Sequence, residues 1–112
     1  MSPRQTSVPR PLRRSEYQII FGTSSAQNGW TDVLATQRNA AVAGWERLTV
    51  DPLADDTTCH GMKGDLEFIT RAGKTHRRRQ YELNNGARIW FYVHDQSVVL
   101  TDVHAHHPNS TK

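Results

Sequence analysis

The apolar positions of the chain follow one rhythm up to about residue 50 and another after it. In "EYQIIFGTS", Tyr17, Ile19, Ile20 and Phe21 are β-branched or aromatic and run up to a glycine, which predicts a first strand. From Ser24 to Leu34 the apolar residues thin to Trp30, Val33 and Leu34, a short and weakly helical piece. Thr36 then stands as the N-cap of "QRNAAVAGWERLTV", where Ala41, Trp45 and Leu48 recur at helical spacing and form one apolar stripe. Asp51-Pro52 stops that helix, because a residue before proline avoids the helical region.

The second rhythm is one of alternation. "LADDTTCHGMKGD" reads as a loop, and from Leu66 onward short strands alternate with turns. "LEFIT" and "HRRRQYEL" are joined by Arg71-Ala72-Gly73-Lys74 as a hairpin, Asn84-Asn85-Gly86 turns the chain into "RIWFYVH", and Asp95-Gln96 turns it into "SVVLTDVHAH". The order is strand, helix, helix, then four consecutive antiparallel strands. The expected fold is α+β, an antiparallel sheet of about four to five strands with two helices packed on one face.

Alternation also sorts side chains by face. Ile89, Phe91 and Val93 suit the buried side, which sends Arg88, Trp90, Tyr92 and His94 to the other. In "HRRRQYEL" the sets are His76, Arg78, Gln80, Glu82 and Arg77, Arg79, Tyr81, Leu83. In the last strand Val99, Thr101, Val103 and Ala105 alternate with Leu100, Asp102, His104 and His106.

Composition narrows the classes. At 112 residues there is room for one domain, expected over 16–112, preceded by a basic, proline-containing arm over 1–15 that reads as disordered. No apolar run is long enough for a membrane helix, and the basic N-terminus lacks the apolar segment of a secretory signal. The single cysteine, Cys59, permits no internal disulfide, and a cytoplasmic location follows as the expectation. A thiol in a loop is the ordinary reading of Cys59; a nucleophile beside His60 is the alternative.

The formal charge is +3, and its distribution is uneven. Arg4, Arg10, Arg13 and Arg14 lie in the arm, and seven more cations lie from Lys63 to Arg88 against Asp65, Glu67 and Glu82. A one-sided basic surface suits a polyanion, and arginines beside aromatic rings suit single-stranded RNA, the cation meeting phosphate while the ring stacks on a base. Three bland readings stand beside this one. Arg77, Arg78 and Arg79 are also what a charged edge strand uses against aggregation, Trp90 and Tyr92 serve equally as core, and His104, His106 and His107 match no metal-ligand spacing. No metal and no cofactor are expected.

Taken in order, "MKGDL", "YELNNGARIWFYV" and "VVLTDVHAHHP" resemble the RelE/ParE superfamily of toxins from type II toxin–antitoxin systems, over roughly Tyr17 to Pro108. The most telling part is a hydrophobic strand opened by Gly86-Ala87-Arg88; a histidine-bearing segment after the last strand is the second marker. The resemblance to the RelE branch implies a ribosome-dependent endoribonuclease acting on messenger RNA. It assigns Arg88 to the scissile phosphate, Arg79 and Tyr81 (with Arg77 further out) to the basic positions of the preceding strand, and His106 or His107 to the final-strand acid/base place. Lys63 of "MKGDL" becomes a backbone contact, and Arg78, Trp90, Tyr92 and His104 complete the RNA-binding set.

The chemistry of RNA cleavage fits those residue types. Attack by the 2′-hydroxyl needs a proton removed, phosphorane charge stabilised and the leaving oxygen protonated. Histidine exchanges protons near neutrality, and arginine offers two fixed donors to phosphate oxygens. The departures are specific: many relatives carry a tyrosine near the C-terminus, where this chain reads "HPNSTK", and Tyr81 stands at an expected lysine position. The ParE-like branch implies a different function, a non-enzymatic toxin that binds DNA gyrase. Either branch implies a cognate antitoxin whose disordered segment folds over the basic surface.

Overall fold

The protein is described by a computed structural model covering residues 7–84 and 86–106. Strand β1 (Gln18–Phe21) leads into helices α1 (Ser24–Thr36) and α2 (Arg38–Val50), followed by β2 (Cys59–Gly61), a 3-10 turn (Gly64–Leu66), β3 (Phe68–Arg71), β4 (Lys74–Arg77), β5 (Arg79–Glu82), β6 (Arg88–His94) and β7 (Ser97–His104). Five of the strands form one sheet in the order β1-β7-β6-β5-β2, and β3 and β4 form a separate hairpin. The α+β class holds, with three differences of detail.

The first concerns β1, which pairs with β7 in parallel, Ile19 opposite Val98 and Phe21 opposite Leu100. The helices carry the chain from β1 at one edge of the sheet to β2 at the other, and β7 comes to lie beside β1 only after β5 and β6. The second is β2, inside the stretch read as a loop, which pairs antiparallel with β5. Three residues with little β propensity carry no visible strand signal; the partner strand makes the strand. The third is Arg78, which splits "HRRRQYEL" in two: its N–H bonds Glu67 O at 2.8 Å and its carbonyl accepts from Met62 N, so β4 and β5 belong to different sheets.

Helix α1 is a full helix rather than a weak one. Thr23 caps it, accepting from Ala26 N at 2.9 Å, and Thr36 ends it instead of starting α2, whose N-cap is Gln37. Asp51 is the C-cap of α2, one residue before the proline. Ala26 and Val33 of α1 and Ala41 and Leu48 of α2 share one core with Cys59, Ile89, Phe91, Val98, Leu100 and Val103. Gly29 is why α1 lies so close to β7: a Cβ there would sit 1.9 Å from Val103 O. Cys59 is fully buried in this core, and burial pushes its thiol pKa up, so it has the character of a small hydrophobe.

The arm is partly tied down. Glu16, nearly buried, accepts from Arg13 N at 2.7 Å and from the Arg10 guanidinium at 2.9 Å, while Arg10 lies over Trp45. Arg4 lies outside the described residues. Among those described, no helix is long and apolar enough to cross a membrane.

Candidate functional site

Register decides which side chains share a face. In the β5–β6 pair Arg79 opposes Phe91 and Tyr81 opposes Ile89, whereas Gln80 opposes Trp90 and Glu82 opposes Arg88. Ile89 and Phe91 are core, so Arg79 and Tyr81 lie on the core side and Arg88 and Trp90 on the other. In the β6–β7 pair Arg88 opposes His104, Trp90 opposes Asp102, and Tyr92 opposes Val99. A bulge interrupts this ladder, because Phe91 pairs with Leu100 and leaves Thr101 over. The simple alternation of the last strand therefore breaks at Thr101: Leu100 and Val103 both face the core, and Asp102 and His104 both face away. The bulged carbonyl is not orphaned, since it accepts from Thr23 Oγ1 at 2.8 Å.

The side away from the core is built around Trp90, which is only 5% exposed although it lies outside the core cluster. Its indole N–H donates to Gln80 Oε1 at 2.9 Å, His104 meets its edge at 4.4 Å, and the Arg78 guanidinium lies over its ring at 5.7 Å. Further along, His76 stacks on Tyr92 at 4.2 Å and meets His94 edge-on at 5.5 Å. The β3–β4 hairpin makes these contacts possible by folding over the sheet, with Arg71 Nη2 bonded to Gly22 O at 2.7 Å. Tyr92 thus lies beneath His76 of the hairpin, and Trp90 beneath Arg78 just after it.

Two polar atoms flanking Trp90, Arg78 Nε and His104 Nε2, are buried without a hydrogen-bond partner among the described residues. Burial holds the His104 pKa below its ordinary value despite nearby Asp102, and burial likewise lowers that of His76. Burial thus favours the neutral form of both imidazoles. Arg88 is nearly buried; its Nη1 bonds the Asn84 and Ala87 carbonyls at 2.8 and 3.1 Å, and its Nη2 lies 3.3 Å from Glu82. Asn84, whose side chain accepts from Gly86 N and Ala87 N and also bonds Gln37, shapes the turn that leads into Arg88.

The remaining candidates are scattered. Arg79 is locked under the loop after α2, bonding Pro52 O and Ala54 O at 3.0 Å each and Asp55 at 2.9 Å. Tyr81 packs at Gly44 of α2, and burial raises its phenol pKa. The sheet itself thus separates Arg79 and Tyr81 from Arg88, so these three do not meet at one phosphate. Arg77 faces solvent on the outer side of the hairpin, over Phe68 and 3.3 Å from Glu67. Lys63 is exposed beside the 3-10 turn, His106 is exposed just past β7, and His107 lies outside the described residues. Sequence reading missed His76 and His94 as members of the site; His94 stands two residues from Tyr92 on one strand face, a visible spacing, whereas His76 comes from another strand. Among the described residues, no three or more of His, Cys, Asp or Glu are placed to hold a metal ion.

No protein-family model matches the chain, and no curated protein matches it. Its structure is similar to that of a copper-bound mutant toxin from Helicobacter pylori, with a TM-score of 0.51 at 14% identity, over 80% of this chain and 94% of that one. The likeness is one of fold.

Proposed function

We propose that the protein is the toxin of a toxin–antitoxin pair and acts as a ribosome-dependent endoribonuclease on messenger RNA, using a RelE-like fold and no metal. The observation that carries this reading is the Arg88–His104 pair, directly opposed on neighbouring strands on the face away from the core. A fixed guanidinium beside an imidazole kept neutral by burial is a phosphate-holding group next to a proton acceptor. His104 takes the 2′-hydroxyl proton, Arg88 meets the phosphorane through the donors that Asn84, Ala87 and Glu82 leave free, and the exposed His106 supplies the proton to the leaving oxygen. Arg78, above Trp90, adds positive charge on the same side. The fold likeness to a toxin supports the role, and a cognate antitoxin covering the basic hairpin is the partner that role implies. In this reading Arg79 and Tyr81 hold the sheet to α2 and its following loop and take no part in the chemistry.

Primer extension on a defined messenger RNA, with purified protein, with and without ribosomes, tests the proposal. Arg88→Lys keeps the charge but loses the fork, and His104→Ala removes the base; thermal melts of both establish that they fold. Cuts that require ribosomes and weaken by about 100-fold or more in both folded variants are expected, the usual scale for a general acid–base group. RNA left intact by the wild type, with growth arrest retained in cells, overturns the nuclease.

A further inference from the structure

The hairpin fold-over leaves a groove of about 440 Å³ at the opposite end of β6 from Arg88. Small-ligand pockets have roughly 300–1,000 Å³. Ile20, Phe21 and Val99 give it an apolar floor, and Arg71, Lys74, His76, Tyr92 and His94 form its other wall. The hairpin's alternation supplies that wall: Arg71 opposes Lys74, and His76 lies two residues beyond Lys74, on the same face. Among the described residues, no acidic side chain lines the groove. Asp95 lies 3.5 Å from His94 Nε2, but at the tip of the turn with its side chain 87% exposed. Arg71 is held in place by Gly22 O, so its guanidinium enters the groove already positioned.

We infer that this groove is a nucleotide-binding subsite, with the base laid against Ile20 and Val99 and the phosphate held by Arg71 and Lys74. An apolar floor alone would take any flat ligand, and cations alone any anion; the combination selects a ligand with a planar face and a phosphate. Seven residues of β6 put its two ends about 20 Å apart. The subsite is therefore distinct from the Arg88–His104 pair while facing the same side of the sheet. A free nucleotide and one residue of an RNA strand present the same chemistry.

Amide chemical shifts of the labelled full chain, titrated with AMP, adenosine, inorganic phosphate and a short single-stranded RNA, distinguish the outcomes. AMP is expected to move the resonances of Ile20, Lys74, His76 and Val99, at least tenfold more tightly than adenosine or phosphate. Lys74→Glu, on an exposed side chain, is expected to weaken AMP by about tenfold, and Ile20→Gln to weaken AMP without changing phosphate. Shifts at these residues with RNA but not with AMP also support the subsite and name the strand as its source. Phosphate binding as tightly as AMP, or no shift in the groove with any of the four, overturns it. Binding here needs neither ribosome nor cleavage, so its failure and that of the nuclease are separate results.

Discussion

Arg79 and Arg88 show how one residue type takes two roles on two faces of a strand pair. Both are nearly buried, and each spends donors on main-chain carbonyls. Arg79 faces the core side, where it ties the loop after α2 to the sheet; removing it leaves Pro52 O with only the long contact from Cys59 Sγ, leaves Ala54 O with Arg47 Nη2, and breaks the ion pair to Asp55. Arg79→Met is expected to lower stability by about 1–3 kcal/mol, the scale of lost hydrogen bonds from a charged donor, read as a lower urea midpoint at unchanged slope. Under the proposed nuclease activity, the same variant is expected to cleave RNA at the wild-type rate when folded. A loss of cleavage without a loss of stability would return Arg79 to the catalytic group.

At the scale of elements, two devices make the face away from the core. The Thr101 bulge re-aims the end of β7, so that His104 shares a side with Trp90 and Arg88, and Thr23 satisfies the freed carbonyl. The hairpin turn places Ala72 and Gly73 at positive φ, 52° and 75°, the pairing a tight two-residue turn needs. Close approach of α1 to β7 depends on Gly29. Gly29→Ala gains about 1 kcal/mol of helix propensity. It also drives a methyl into the Val103 carbonyl, where backbone cannot step aside as a side chain would. The clash should win, giving a net loss of stability in thermal unfolding. An unchanged melting temperature would show that α1 slides freely on the sheet.

The whole molecule should lose stability in acid in two stages. Burial lowers the pKa of His104 and His76 from 6.5, so the unfolded chain binds protons that the folded chain refuses. Stability from these groups is therefore full above about pH 6.5 and declines as pH falls from there toward their lowered folded values. The second stage lies lower. Glu16 is held below its ordinary 4.5 by Arg10 and the Arg13 amide, and Asp56 is held far below its ordinary range by Arg47 and Thr58. Stability that these carboxylates add above their unfolded values is lost as pH falls below about 4.5. Urea midpoints measured from pH 8 to pH 3 should show both declines, and a His76→Gln, His104→Gln double variant should keep only the lower one.

Much of the local structure is legible in the residues themselves. The strand at Tyr17 to Phe21, the stop at Asp51-Pro52, the hairpin at Arg71–Lys74 and the turns into and out of β6 each rest on a few adjacent side chains, which is all that local propensity needs. The two faces of β6 were legible for the same reason, since a strand alternates whatever its partners are. What tertiary structure alone decided is everything that depends on a distant partner. Strand β2 exists because β5 is there to pair with it, and β1 finds its parallel partner in β7, the last strand of the chain. The break at Arg78 follows from its bond to Glu67, and the bulge at Thr101 from the ladder with β6 and the hydroxyl of Thr23. A period-2 reading cannot place a bulge, because one inserted residue exchanges the faces beyond it without altering composition. That is why Arg88 and Trp90 could be put on their side of the sheet from sequence, whereas the meeting of His104 with both, and of His76 with Tyr92, came only with the pairing of strands far apart in the chain.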